Sequence, residues 1–198
     1  EQFKLQPSIL SNYEKLLSPE GLIIFLFHGV INRNPYTVRN YNRKHIDKLD
    51  FYNLLKSLKA SGNPINLDQY MKSKYLKKNS FVITFDDGFE NNASIAAPIL
   101  EELNIPATFY ITSAFVDKNL MSWVDQLEHC IEHTSKKKID VFGRQFILKD
   151  VESKIICLDW LRNFFKTDKN VFLKKSTKIR ELFDTCEVKF VESQENEL

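Results

Sequence analysis

The feature that most constrains the fold is the segment Phe81–Asn92, which reads FVITFDDGFENN. A short apolar run that ends at a turn residue is typical of a buried strand. The segment therefore predicts a strand over Phe81–Phe85, with Asp86 and Asp87 at its carboxyl-terminal tip. Parallel α/β sheets and barrels carry their reacting groups at this end. Two adjacent carboxylates repel each other unless a cation or a shared proton relieves the repulsion. The pair thus suggests one carboxylate that holds a metal ion and one that handles protons.

The dipeptide Asp87-Gly88 has a second interpretation, because Asp-Gly is also a strong hairpin-turn signal. The residues that follow favour the first interpretation. Phe89–Leu103 lacks the period-2 alternation of a strand, and its apolar residues recur at helical spacing. A strand, a turn and a helix in succession are therefore favoured over a hairpin. Both a functional acidic pair and a purely structural turn stay open at this point.

The composition is that of a globular protein with a full core, since 43% of the 198 residues are hydrophobic and 27% are charged. This length fits one domain, or one domain with an appended subdomain. A formal net charge of +2 gives no argument for binding to nucleic acid or to an anionic membrane surface. The cysteines form no CxxC pair, which predicts buried free thiols at Cys130, Cys157 and Cys186.

The sequence carries no visible targeting signal. No apolar run approaches a membrane span, and LIIFLF (Leu22–Phe27) is short enough to be a central strand. The N-terminus begins with Glu1 rather than Met, and no basic region followed by an apolar stretch is visible there. A leader or an upstream region could have been removed, so the localisation is left open, with the cytoplasm slightly favoured.

Strands alternate with helices in the first half of the chain. Besides Phe81–Phe85, strands are predicted at Leu22–Phe27, Asn63–Leu67 and Ala107–Thr112. A stripe of apolar residues at helical spacing predicts a helix that ends near Gly62: Phe51, Leu54, Leu55 and Leu58. Pro98 marks a helix start or a kink. Such repetition of strand and helix implies parallel pairing with right-handed crossovers, and therefore an α/β fold.

The pattern changes after about residue 135, which predicts a first domain over 1–135 and a subdomain over 136–198. Ile139–Leu148 centres on Gly143 and predicts a β-hairpin. Val151–Phe165 and Val171–Phe183 have apolar residues at helical spacing and predict two helices. The acidic and polar tail Glu192–Leu198 is predicted to fray.

The segment TFDDG (Thr84–Gly88) resembles the first motif of the polysaccharide deacetylases, the NodB-homology group within carbohydrate esterase family 4. Four more segments extend the resemblance over about Gly21–His133: FLFHGV (Phe25–Val30), Asn42–Gly62, Asn91–Thr112 and MSWVDQL (Met121–Leu127). The last of these is similar to a segment in members with an inserted subdomain. The resemblance implies a distorted (β/α) barrel of the NodB-homology type, incomplete in this chain, with an α-rich C-terminal insertion.

The resemblance also implies an activity, the hydrolysis of N-acetyl groups on the amino sugars of a polysaccharide or its precursor. The same resemblance implies that Asp87 is a ligand of a divalent metal, usually zinc, and that Asp86 is the general base that takes a proton from the attacking water. This assignment of different roles to the two aspartates suits the chemistry, because a metal lowers the pKa of bound water to around 7 and a nearby carboxylate supplies the base. His28 has two interpretations. It lines the pocket and binds substrate, or it is tied to the turn before Gly29.

The metal site of the family also needs a His-box, H-[S/T]-x-x-H, which this sequence lacks. Asp87 is then the one ligand left of the usual Asp-His-His set, so the zinc site is incomplete in this chain. His129 and His133 have the i, i+4 spacing of zinc-binding helices, but Cys130 stands where the box has Ser or Thr. A surface or interface helix is the favoured interpretation, and a metal pair is the alternative.

The missing box favours a chain that is the N-terminal part of a longer deacetylase, active only with the region that carries the box. The alternatives are a non-catalytic carbohydrate- or partner-binding remnant, and a site completed by a second chain. Half a barrel exposes strand edges, which predicts self-association or pairing with the missing region. A phosphatase is disfavoured, because its motif wants an Asp two residues after the first, where Gly88 stands.

Overall fold

The structure is a computed structural model that describes residues 13–18, 20–33, 37–73, 75–167 and 174–191. These residues form two compact units. The first unit contains the described residues of 1–34 and 43–116, and the second contains those of 35–42 and 117–197. The predicted tail Glu192–Leu198 lies outside the described residues, as do residues 171–173 of the last predicted helix.

The first unit is built on parallel strands. Its strands are β1 (Leu22–Phe27), β2 (Gly29–Ile31), β3 (His45–Asp47), β4 (Asn63–Pro64), β5 (Ser80–Phe85) and β6 (Ala107–Phe109). The main sheet has the order β1-β5-β4, β6 also pairs with β5, and all these pairings are parallel. A second parallel pair joins β2 to β3. The predicted α/β class with parallel strands is confirmed.

The first unit also contains helices and single helical turns. They are a 3₁₀ turn (Tyr13–Leu16), α1 (Lys48–Ser61), α2 (Leu67–Lys72), a π-helical turn (Asn92–Ala96), α3 (Ala97–Glu102) and α4 (Ser113–Asp117). The predicted stripe of α1 is confirmed, because Phe51, Leu54, Leu55 and Leu58 are all fully buried. They form one core with Phe81, Ile83 and Phe85 of β5, which is buried along its whole length. Burial of such side chains contributes about 1.5–3 kcal/mol each.

Two predicted strands in this unit are longer than the observed ones, and the first is Ala107–Thr112, of which only β6 is a strand. The strand predicted over Asn63–Leu67 is restricted to β4, because Asn66 caps α2 in a reciprocal pair of hydrogen bonds with Gln69. Gly62 does follow α1 as predicted, but its backbone is extended rather than left-handed. A β-carbon there would stand 2.7 Å from the Asn79 carbonyl oxygen, so close approach explains this glycine. Pro98 lies in the first turn of α3 and thus marks a helix start, as predicted.

The second unit is a hairpin packed with helices. Its elements are α5 (Trp123–His133), β7 (Lys138–Val141), β8 (Arg144–Ile147), α6 (Val151–Thr167) and α7 (Lys175–Cys186). The predicted hairpin is confirmed, since β7 and β8 pair antiparallel around Phe142 and Gly143, both of which have positive φ. The three cysteines are buried and free, as predicted. They belong to a core that includes Leu127, Leu161 and Phe183.

The division into units differs from the predicted boundary between residues 135 and 136. Helix α5 packs its buried residues Leu127, Cys130 and Ile131 into the core of the second unit. The apolar residues of α5 have their partners on α6 and α7, a relationship that a change in local pattern does not reveal. The predicted domain boundary itself stays a prediction.

None of the helices in the described ranges has the length and the apolar content of a membrane span.

Candidate active site

The acidic loop, which we define as Asp86–Gly88, begins where β5 ends. The Asp86 backbone N–H donates a hydrogen bond to the Phe27 carbonyl oxygen at 2.9 Å, and this ties the loop to the end of β1. The Asp87 carbonyl oxygen accepts one from the Thr112 N–H at 3.2 Å, beyond β6. The loop is therefore held by backbone hydrogen bonds to the end of β1 and to the segment that follows β6. After it the chain enters the π-helical turn and α3, so the hairpin interpretation of Asp87-Gly88 is wrong.

The backbone of the acidic loop is left-handed at two consecutive residues, with φ of 74° at Asp87 and 77° at Gly88. A β-carbon at Gly88 would also meet Ile111 at 3.0 Å, so this position requires glycine. A left-handed backbone costs a non-glycine residue about 1–2 kcal/mol, although aspartate tolerates it better than most residues. Strained conformations of this kind cluster at functional sites.

His28 and Asp86 lie at the same end of the parallel sheet. β1 and β5 pair with Phe27 opposite Phe85, and each of the two site residues directly follows one of these partners. The side chains of His28 and Asp86 are both half-buried. Within the described part of the chain, the His28 side chain makes no hydrogen bond that would tie it to the local turn. The roles of Asp86, Asp87 and His28 stay predictions.

The electrostatic partner of Asp87 is a lysine. The Lys44 ammonium lies 3.6 Å from Asp87 Oδ2 and 4.2 Å from the centre of the Phe89 ring. The Lys44 side chain is 14% exposed and that of Asp87 is 30% exposed. The contact is thus sheltered from much of the solvent screening that weakens surface ion pairs.

A buried polar cluster, formed by His45, Asn91 and Asn92, lies in the same unit as the acidic loop. Asn91 Nδ2 is 3.3 Å from His45 Nδ1, and His45 packs edge-on against Phe89 with ring centres 4.7 Å apart. The Asn91 Oδ1 atom and both amide atoms of Asn92 are buried without a hydrogen-bond partner among the described residues. Asn92 begins the π-helical turn, a distortion that is frequent at functional sites.

Sequence reasoning missed Lys44 and this cluster. Lys44 and His45 are far from the acidic loop in the sequence, and nothing in their spacing connects them to it. Asn91 and Asn92 follow the motif directly, so their position was a usable signal, but their burial was not visible in the sequence.

The described residues do not fit a metal ion. No group of three histidine, cysteine or acidic side chains among them lies close enough together to hold one. Asp87 instead faces the Lys44 ammonium, and a single carboxylate beside a positive charge is a poor donor set for zinc.

His129 and His133 belong to the second unit, whereas the acidic loop belongs to the first. Their rings stack on one face of α5 with centres 4.1 Å apart, as the i, i+4 spacing predicts. The His133 Nδ1 lies 2.9 Å from the His129 carbonyl oxygen. His129 is buried and also stacks on Phe183. These contacts describe a packed helix face, and a metal role for the pair stays a prediction.

Comparison with known proteins supports the resemblance. Residues 73–141 match the family model described as polysaccharide deacetylase. This match confirms that the region of the acidic loop resembles these enzymes, although it begins later in the chain than the predicted range. A comparison with curated proteins finds no match.

Several solved structures are similar to the chain. IcaB from Ammonifex degensii is 21% identical with a TM-score of 0.45, and the match covers 57% of this chain and 49% of IcaB. The deacetylase PplD of Streptococcus pyogenes is 17% identical with a TM-score of 0.40, and the match covers 56% of this chain and 52% of PplD. A de-N-acetylase from Aggregatibacter actinomycetemcomitans is 20% identical with a TM-score of 0.39. The match covers 64% of this chain and 61% of the de-N-acetylase. The chain thus spans between about half and three fifths of the length of these structures.

Proposed function

We propose that this chain supplies the acidic loop of a carbohydrate N-deacetylase, a hydrolase that removes acetyl groups from the amino sugars of a polysaccharide or its precursor. The observation that carries the proposal is the placement of Asp86 and Asp87. They stand at the carboxyl end of a buried parallel strand, within the segment that matches the deacetylase family model. The partner under this proposal is a carbohydrate.

Asp86 is the proposed general base. Its carboxylate takes a proton from a water molecule as the water oxygen attacks the acetyl carbonyl carbon. Asp86 then returns this proton to the amide nitrogen as the bond between the carbonyl carbon and that nitrogen breaks. The free amine and acetic acid, which ionises to acetate, leave. Asp86 suits this role because its backbone is fixed to β1 while its side chain is only half-buried. His28, at the same end of the sheet, is the proposed hydrogen-bonding partner of the substrate.

The resemblance assigns Asp87 to a divalent metal ion, which is zinc by analogy with the family. The described residues do not complete such a site, because they bring a lysine rather than further ligands to Asp87. Metal dependence therefore requires ligands from outside the described part of the chain.

Release of acetate from an N-acetylated oligosaccharide tests the proposal. We expect Asp86→Asn to slow the release by about 100-fold or more, the range that a positioned general base contributes. Asp140→Asn is the matched control, because Asp140 is an exposed carboxylate on β7 and its replacement leaves the acidic loop intact. Full activity of Asp86→Asn would refute the role of Asp86.

The second candidate is a non-catalytic carbohydrate- or partner-binding relative of the deacetylases. The observation that favours it is the Lys44 ammonium at Asp87, where the family places a metal ion. Calorimetry with the same oligosaccharide separates the two candidates. Binding without acetate release, with the same affinity in Asp86→Asn, would favour the second candidate over the first.

A further inference from the structure

The Lys44 ammonium is the cation that Asp87 holds in this structure. Its Nζ lies 3.6 Å from Asp87 Oδ2 and 4.2 Å from the centre of the Phe89 ring. Lys44 immediately precedes β3, and both contacted residues follow β5 within a few positions. The Lys44 side chain is 14% exposed, so the ion pair lies in a partly desolvated setting, where such contacts are stronger than at an open surface.

Lys44 packs against residues that are themselves buried. The Phe89 ring that lies under the ammonium packs edge-on against His45, at 4.7 Å between ring centres. His45 is 3% exposed and approaches Asn91, which is 2% exposed. A lysine on a flexible surface loses side-chain entropy when it pairs with a carboxylate, and this loss often cancels the attraction. Because the contacts at Phe89 already restrict Lys44, less entropy is left to lose.

A divalent metal ion and Lys44 compete for the same carboxylate. An ammonium at 3.6 Å neutralises Asp87 and repels an approaching divalent ion. A metal ion also needs several ligands, and the described ranges bring no such group together. The donor set around Asp87 therefore suits a lysine better than a metal ion.

We propose that Lys44 is the permanent ionic partner of Asp87. Lys44 neutralises and orients this carboxylate and lowers its affinity for divalent metal ions. Lys44 acts on the acidic loop through Asp87, and it is therefore a positioning residue. The inference does not rest on the proposed function, because it concerns which cation Asp87 takes and not the hydrolysis of an amide.

Titration of the purified chain with Mn²⁺ alone, followed by water proton relaxation, tests the proposal. Mn²⁺ suits carboxylate ligands, whereas histidine pairs prefer other metals. We expect Lys44→Met to bind Mn²⁺ about fivefold more tightly than the unsubstituted chain, the scale that a sheltered ion pair contributes. Lys44→Arg keeps the charge and should stay within about twofold of the unsubstituted chain.

The double variant Lys44→Met/Asp87→Asn locates the effect. It should lose the gain in Mn²⁺ affinity, because the gain comes from the Asp87 carboxylate. Equal Mn²⁺ affinities of Lys44→Met and the unsubstituted chain would overturn the proposal. A gain that survives in the double variant would overturn it too.

The reactivity of the Lys44 amine gives a second measurement, which does not depend on the folding of Lys44→Met. Limited acetylation with acetic anhydride, read by mass spectrometry, should modify Lys44 about threefold faster in Asp87→Asn than in the unsubstituted chain, because the ion pair protects the amine. Lys72, an exposed lysine paired with Asp68, is the internal control and should react equally in both chains. An unchanged rate at Lys44 would contradict the proposal.

Discussion

Gly29 lies directly against the ring of His45, since a β-carbon at position 29 would stand 2.1 Å from His45 Nδ1. The two residues are registered partners at the start of the parallel pair β2 and β3. The pairing therefore depends on the missing side chain of glycine. We expect Gly29→Ala to lower the free energy of unfolding by about 1–3 kcal/mol, because a buried overlap forces its neighbours to shift. Urea denaturation followed by circular dichroism measures the loss.

Gly21→Ala is the matched control for this substitution. A β-carbon at Gly21 would meet Ser18 at 3.4 Å, which is an ordinary contact. Its free energy of unfolding should stay within about 0.5 kcal/mol of the unsubstituted chain. Equal losses in the two variants would contradict the packing argument.

Asn92 tests whether the buried polar cluster is stabilising or merely tolerated. Asn92 is 4% exposed, and neither of its amide atoms has a partner among the described residues. A buried polar group without a partner costs about 1–3 kcal/mol, so Asn92→Leu should leave the free energy of unfolding unchanged or raise it. Asn91→Leu removes the contact with His45 Nδ1 and should lower it by about 1 kcal/mol. Thermal denaturation of both variants gives the comparison, and a larger loss for Asn92→Leu would reverse this assignment.

The strands β1 and β5 and the helix α1 of the first unit were predictable because their signals are local. β5 is an unbroken apolar run, and it is buried along its whole length. The stripe from Phe51 to Leu58 repeats at helical spacing, and all four of its residues are buried in α1. The position of the acidic loop follows from these two patterns, since a parallel strand flanked by helices must end in such a loop.

The contact between Lys44 and Asp87 was not predictable in this way. The two residues are 43 positions apart in the sequence. Their approach depends on the pairing of β2 with β3 and on the left-handed backbone of Asp87. Neither feature leaves a periodic signal. The same holds for α5, whose apolar partners lie on helices that follow much later in the chain.

Tyr41 should make the stability of the second unit depend on pH in the alkaline range. Burial, and then its hydrogen bond to Asp159, raises the pKa of Tyr41 to about 12 from an ordinary 10.0, although Arg162 opposes the rise. A pKa raised in the folded state means that the stabilisation is complete below about pH 10 and is lost as the pH rises through about 12. We therefore expect the free energy of unfolding to fall between these values. Chemical denaturation at a series of pH values measures the fall.

The variant Tyr41→Phe isolates this contribution. It cannot ionise, so its free energy of unfolding should fall less over the same range of pH. Tyr75→Phe is the control, because Tyr75 is 91% exposed and its replacement should leave the slope unchanged. Tyr13, whose pKa burial also raises to about 12, accounts for part of the fall that persists in Tyr41→Phe. Identical slopes for Tyr41→Phe and the unsubstituted chain would contradict the role of Tyr41.

The three cysteines should be unreactive as long as the second unit is folded. Cys130, Cys157 and Cys186 are fully buried, and burial raises the pKa of the Cys157 thiol to about 12. The reactive species is the thiolate, so the high pKa of Cys157 suppresses its reaction with a thiol reagent. A hydrogen bond from Cys130 lowers the pKa of Cys186, and it is burial that keeps the reagent away from this thiol. We expect Ellman's reagent to modify the native chain only at the rate at which the unit opens, and to modify all three thiols at once in denaturant. Rapid modification of any one thiol in the native chain would show that the core around these cysteines is open to solvent.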